Sequence, residues 1–143
     1  MLDKEHMNKI LVDTNVLVYS IDEDSKFHTP SKNILQNPTN VLFTTSKNLS
    51  EFLVVLTRGL EVPVTINDAL KSMENIVSYF TILYPSQASL NIFKELLLKY
   101  RPKGLKIHDF EIISIGLQYG IKSIATKNED DFKGIAEIEI INF

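Results

Sequence analysis

Residues 10–19 read ILVDTNVLVY, an apolar run broken by one carboxylate, Asp13, and one carboxamide, Asn15. Where Asp13 can stand decides the fold. An ionised carboxylate in a dry interior is among the most costly groups a chain can bury. The run makes physical sense if a buried strand stops at Asp13. Ile10, Leu11 and Val12 then fill a core, the acid stands at the rim of a sheet, and Val16, Leu17 and Tyr19 resume packing as a short helix.

The flanking sequence supplies the sheet. Short β-branched runs occur at 9–13 (KILVD), 41–45 (VLFTT), 81–84 (TILY), 123–126 (SIAT) and 137–142 (EIEIIN). Helical patterns lie between them. One spans 29–36, with Pro30 suited to a first turn. Leu49, Phe52, Leu53 and Leu56 recur at helical spacing and place another over 46–58. A third spans 65–80, with Thr65 as its cap and Asp68 in its first turn. A fourth, 86–100, puts Leu90, Phe93, Leu97 and Tyr100 on one side. A fifth, 109–119, buries Phe110, Ile113 and Leu117 and stops at Gly120. Gly116 inside that helix costs about 1 kcal/mol relative to Ala, which close packing of helix on sheet would explain. Strands alternating with helices indicate an α/β fold whose parallel sheet is covered on both faces. Such sheets bind ligands beyond the carboxyl ends of their strands, where the winding direction reverses.

Composition narrows the function. The 143 residues show no repeat, low-complexity segment or linker, and so read as one domain, 1–143. Hydrophobic residues make up 44% and charged residues 23%, an ordinary globular balance. There is no cysteine, which excludes thiolate metal sites and thiol chemistry. No apolar stretch approaches the roughly 20 residues of a membrane span. The start, MLDKEHMNK, lacks the apolar segment of a secretion signal. A soluble cytoplasmic protein is expected. The net charge of −3 argues against non-specific nucleic-acid binding while leaving room for a local basic groove.

Four acids hold a structural and a chemical reading at once. Asp13 at a strand end would cap the following helix or face a ligand, with Thr14 and Asn15 orienting it. Glu51 stands at capping-box spacing from Asn48, but a cap at Thr45 or Ser46 would leave it further into the helix. Asp109, after His108, is favoured in a first turn by the helix dipole, by about 0.3–1 kcal/mol. Asn128, Glu129, Asp130 and Asp131 read as a solvated loop anchored by Phe132, yet the loop follows a strand whose end should share Asp13's rim. If these acids converge they need a counter-ion, because two carboxylates about 5 Å apart repel by roughly 3 kcal/mol at an effective dielectric near 20. Oxygen ligands without cysteine, and three histidines (His6, His28, His108) without ligand spacing, select Mg2+ or Mn2+. Such an ion polarises a phosphoryl oxygen and acidifies a bound water, and a second about 3.5–4 Å away would stabilise a leaving oxygen. That is phosphodiester hydrolysis. The stretch KYRPKGLK sets Lys99, Arg101, Lys103 and Lys106 just before Asp109. They are either solvated cations or, with Lys127, contacts for a polyanionic backbone.

In order and spacing, ILVDTNVLVY, SEFLVVLTR, IHDFEIISIGLQYGI and ATKNEDDF resemble the four acidic blocks of PIN-domain ribonucleases, and most nearly the VapC-type toxins of toxin–antitoxin pairs. The resemblance covers nearly the whole chain. It implies a three-layer α/β/α sandwich around a parallel sheet of five strands. It also implies Mg2+- or Mn2+-dependent endonuclease activity on RNA, homodimerisation, and neutralisation by a small antitoxin. By matching position, Asp13 and Asp109 would be principal metal ligands and Glu51 the second-block acid. The fourth block often shows Thr-x-Asp or Thr-x-Asn, then Asp-Phe; here those positions hold Asn128 and Asp131. Asn128 is a neutral ligand, so either Asp131 takes over or one ion suffices.

Rival readings fare worse. A receiver signalling domain needs paired acids after the first strand and a phosphorylatable Asp after the third; here stand Thr14-Asn15 and Tyr84-Pro85. A dinucleotide fold needs glycines where DTNVL stands, and a haloacid-dehalogenase-like phosphatase needs a second Asp at Asn15. A PIN-like module that binds RNA or protein without cutting is given some room by Asn128 and is opposed by the retained Asp13, Glu51, Asp109 and Asp131.

Overall fold

The computed structural model describes residues 7–59 and 61–143. His6 and most of the amino-terminal stretch read for a secretion signal lie outside the described residues. Five parallel strands, β1 (Asn8–Val12), β2 (Asn40–Thr45), β3 (Thr81–Leu83), β4 (Ser123–Ala125) and β5 (Glu139–Ile141), form one sheet in the order β3-β2-β1-β4-β5. The chain steps from β1 outward to β3, then crosses back to β4 and β5. The carboxyl ends of β1 and β4 therefore flank the point where the winding reverses.

Strand periodicity builds two cores from one central strand. Ile10 and Val12 pack with Val16, Leu17, Phe52, Leu56 and Ile76, from helices α1 (Thr14–Tyr19), α3 (Ser46–Arg58) and α4 (Ile66–Val77). The same layer includes α2 (His28–Gln36), through Ile34. Leu11 points the other way and packs with Leu96, Phe110, Ile113 and Ile124, under α5 (Gln87–Tyr100) and α6 (Lys106–Gln118). The architecture is the expected three-layer α/β/α sandwich. Gly116 shows why α6 tolerates a glycine: a Cβ there would meet Leu11 Cδ2 at 3.1 Å. Gly120, at φ 73°, turns the chain out of α6.

Several boundaries differ from expectation, each for a local reason. β1 stops at Val12, because Asp13 leaves the strand to cap α1, accepting from Thr14 N. β3 stops at Leu83, two residues before Pro85, which has no N–H to offer a ladder. β5 loses 137–138 because Glu137 is drawn to α5, where Tyr100 Oη (2.5 Å) and Lys99 Nζ (2.8 Å) donate to it. α4 ends at Val77, with Ser78 as its C-cap. α6 starts at Lys106 rather than 109, after Gly104 (φ 62°) turns the chain; Asp109 remains in its first turn. The expected loop after β4 holds one helical turn, α7 (Glu129–Phe132), anchored by buried Phe132.

Candidate metal centre

Asp13 is only 7% exposed, yet both its oxygens are satisfied. Oδ1 accepts from Thr14 N (2.9 Å) and Asn48 Nδ2 (3.4 Å). Oδ2 accepts from Thr126 Oγ1 (2.8 Å) and Asn15 Nδ2 (3.2 Å). Burial pushes its pKa above the usual 3.8, the hydrogen bonds from Thr126 and Thr14 work against that rise, and Glu51 and Asp131 add to it. Asp13 thus caps a helix, and it does so at the floor of a cleft.

The donors are themselves held. Thr45 and Asn48 form the capping box of α3, Thr45 Oγ1 donating to Asn48 Oδ1 (2.6 Å) while accepting from Asn48 N (3.2 Å). This frees Glu51 from capping and leaves it in the second turn, where its Oε2 lies 3.3 Å from the Thr14 hydroxyl. Asn48 Nδ2 also donates to Thr14 Oγ1 (3.0 Å). Asn15 bridges two loops: Nδ2 reaches Asp13 and Thr126, and Oδ1 accepts from Lys127 N (3.1 Å). Thr126 Oγ1 accepts in turn from Asn128 N (3.0 Å).

The four sequence-selected acids line one cleft of about 700 Å³ at the reversal point, together with Thr14, Asn15, Asn128 and Lys106. Asp109 feels the gathering most. Its pKa is raised from 3.8 to about 7, first by burial, then by Asp131, Asp13 and Glu51; Lys106 pulls the other way. The cleft is open rather than a closed cage: among the described residues no three His, Asp or Glu side chains form a ready metal-binding group. The donor set nonetheless fits a hard divalent cation, being all oxygen and overloaded with negative charge. A second cleft, about 630 Å³, lies at the opposite end of the sheet near Asn40; Leu35, Leu42, Ile76 and Tyr79 line it, and no acid among the described residues does.

The basic residues divide. Lys106 lines the cleft. Arg101 and Lys103 are exposed in the turn between α5 and α6 and are not part of the lining, while Lys99 is paired with Glu137. Lys127 enters the site through its backbone N–H, but its ammonium donates to the Phe143 carbonyl. Sequence reasoning did not pick out Asn48 or Thr126 as site residues, although both are fully buried against Asp13. The sequence carried faint signals for them, a carboxamide three residues past a strand-ending Thr and a Thr closing an apolar strand. Tyr19 and Asp22 in the lining left no signal at all.

Comparison with known proteins bears on the fold and the family. No curated protein matches the chain in sequence. Among solved structures, the fold is shared with a chain of VapBC2 from Rickettsia felis, bound to a DNA fragment from its promoter (18% identity, 94% of this chain and 98% of that one, TM-score 0.72). It is shared with FitAcB from Neisseria gonorrhoeae (19% identity, 93% and 96%, TM-score 0.69). It is also shared with Mycobacterium tuberculosis VapC20, a sarcin–ricin loop cleaving toxin (16% identity, 91% and 98%, TM-score 0.68). The family model described as PIN domain matches residues 10–138, from the strand that ends just before Asp13 to the approach of the last strand, and the chain belongs to that family.

Proposed function

We propose that this PIN-domain protein is a Mg2+- or Mn2+-dependent endoribonuclease and the toxin of a toxin–antitoxin pair. The observation that carries the reading is the convergence of Asp13, Glu51, Asp109 and Asp131 on one cleft, with Asp109 raised to about 7 by burial and by its neighbours. Capping accounts for Asp13 and the helix dipole favours Asp109, but neither calls for four carboxylates on one cleft; a divalent cation relieves that charge.

Asp13 and Asp109 are the principal ligands, with Glu51 and Asp131 completing the set. When bound, the ion supplies Lewis-acid polarisation of the phosphoryl oxygen and a water acidic enough to attack in line. The chain's residues prepare the site. Thr14 N and Thr126 fix Asp13 through its two shorter hydrogen bonds, while the longer ones from Asn48 and Asn15 are the weaker. Asp109 holds a proton near neutrality and gives it up on loading. Asn128, neutral and beside Asp131, adds an oxygen without adding charge. Lys106 meets substrate phosphate at the cleft, and Arg101 and Lys103 extend a basic track beyond it. Solved relatives in fold that are toxin–antitoxin complexes support a small antitoxin partner, and a homodimer is the proposed assembly. The proposed place of action is the cytoplasm; no helix among the described residues is long and apolar enough to cross a membrane.

The test is cleavage of RNA with Mg2+ or Mn2+ and with chelator. Wild-type chain cuts only with metal, and folded Asp13→Asn and Asp109→Asn variants lose at least about 100-fold, a barrier rise near 2.7 kcal/mol. Undiminished cutting by either variant rejects the assignment. RNA retained but never cut, with any divalent ion, moves the chain to a binding module. Growth arrest on induced expression, absent for Asp13→Asn, tests the toxin role.

A further inference from the structure

We propose that Lys127 is a positioning residue for Asp13, fastened by Phe27 and Phe143, and not a contact to RNA phosphate. This rests on the metal-dependent reading above and assigns a task to a cation that the reading leaves unused.

Lys127 follows Thr126 at the carboxyl end of β4. Its N–H donates to Asn15 Oδ1 (3.1 Å), and that bond decides which end of the Asn15 carboxamide faces Asp13. With Oδ1 occupied, Nδ2 is left to donate to Asp13 Oδ2 (3.2 Å). A shift of the Lys127 backbone would therefore release one of the donors that hold the principal ligand. The side chain restrains that backbone. Its ammonium donates to the Phe143 carbonyl and lies 4.0 Å from the Phe143 ring centroid and 5.0 Å from that of Phe27, both within cation–π range. Phe27 is secured in turn. Its ring packs 5.1 Å from Tyr19, and the neighbouring His28 Nδ1 donates to the Tyr19 carbonyl (2.8 Å). The clasp thus joins the end of β4 to the α1–α2 connection and to the residue two positions beyond β5. The ammonium is thus drawn toward Phe143 and Phe27, whereas the main-chain N–H binds Asn15, which in turn donates to Asp13.

The experiment titrates Mn2+ by thermal shift and, separately, measures RNA cleavage at saturating Mn2+. It compares wild type, Lys127→Met, Lys127→Arg, Phe143→Leu, Asn15→Ala and the Asn15→Ala/Lys127→Met double variant. Phe143 is chosen over Phe27 because Lys26 also lies over the Phe27 ring (5.0 Å). Lys127→Met and Phe143→Leu should raise the half-saturating Mn2+ concentration about tenfold, the lower range for groups that orient metal ligands. Lys127→Arg should restore it to within about twofold, since guanidinium keeps the cation–π contacts. The double variant should be no weaker than Asn15→Ala alone, because both changes break one link. KM for RNA should stay unchanged. An unaltered Mn2+ midpoint in Lys127→Met overturns the proposal. So does a raised KM with a salt slope flatter by about one, the mark of a lost phosphate contact. If Lys127→Met fails to fold, the contrast between Lys127→Arg and Phe143→Leu decides in the same way. A wild-type chain indifferent to Mn2+ overturns the nuclease reading itself, and this one with it.

Discussion

Asp109 and Thr126 carry the sharpest expectations for single residues. Asp109 titrates near 3.8 in an unfolded chain and at about 7 in the metal-free fold. Between those values the folded state holds a proton that the unfolded state has released, so this group's stability contribution falls as pH rises from about 4 to 7. Metal-free Asp109→Asn should therefore show a flatter melting profile over that window and melt above wild type at pH 8, as differential scanning fluorimetry would record. Cation and proton compete for the same oxygens. Mn2+ affinity of the wild type should rise as pH climbs toward 7 and level off above it, readable by the same method. Thr126→Val keeps shape but removes Asp13's shortest hydrogen bond and the acceptor for Asn128 N. Leaving buried polar groups unpaired costs about 1–3 kcal/mol, so an unfolding free energy in urea lower by that amount, together with weaker Mn2+ binding, is expected.

In helix α3 one local motif both closes the helix and lines up the cleft. Its Thr45–Asn48 capping box closes the helix start, and the same Asn48 amide reaches Asp13 and Thr14. Asn48→Ala should cost about 1–3 kcal/mol in chemical denaturation, the range for buried polar partners left unpaired, and should loosen metal binding as well; Thr45→Ala, which removes the cap itself, should affect stability more than metal. Helix α6 is set by the opposite kind of constraint. Gly116 lets it approach Leu11, with only 3.1 Å for an added Cβ. Gly116→Ala gains about 1 kcal/mol of helix propensity and spends it on that contact, so it should be close to neutral. Gly116→Val should destabilise by about 1–3 kcal/mol through overpacking, measured by urea unfolding. The same close approach places the first turn of α6, and with it Asp109, over the end of the sheet.

For the whole molecule, net charge and the acidic cleft point the same way. A chain of net charge −3 whose cleft gathers four carboxylates repels a polyanion unless a cation enters first. RNA should not be retained in gel shift at physiological salt in the presence of chelator. It should be retained with Ca2+, which takes oxygen ligands of the same kind. Retention equal in both conditions would show that the cleft is not where RNA binds.

Much of this was legible in the chain itself. Alternation of β-branched runs with helical spacing determined the parallel α/β layering, since a strand apolar at Ile10, Leu11 and Val12 needs cover on both faces. Asp13 at its end named the rim. Capping at Thr65 was readable because the residues that decide it are three apart; so was the site of Gly116, though not its neighbour. Tertiary structure alone decided that Glu51 is free of capping duty, that Asn48 and Thr126 hold Asp13, and that Lys127 turns to Phe27 and Phe143. Those partners are separated by 35, 113, 100 and 16 positions. Hydrogen-bond reach is about 3 Å, and no periodicity in a sequence records which distant residues the strand order will bring within it.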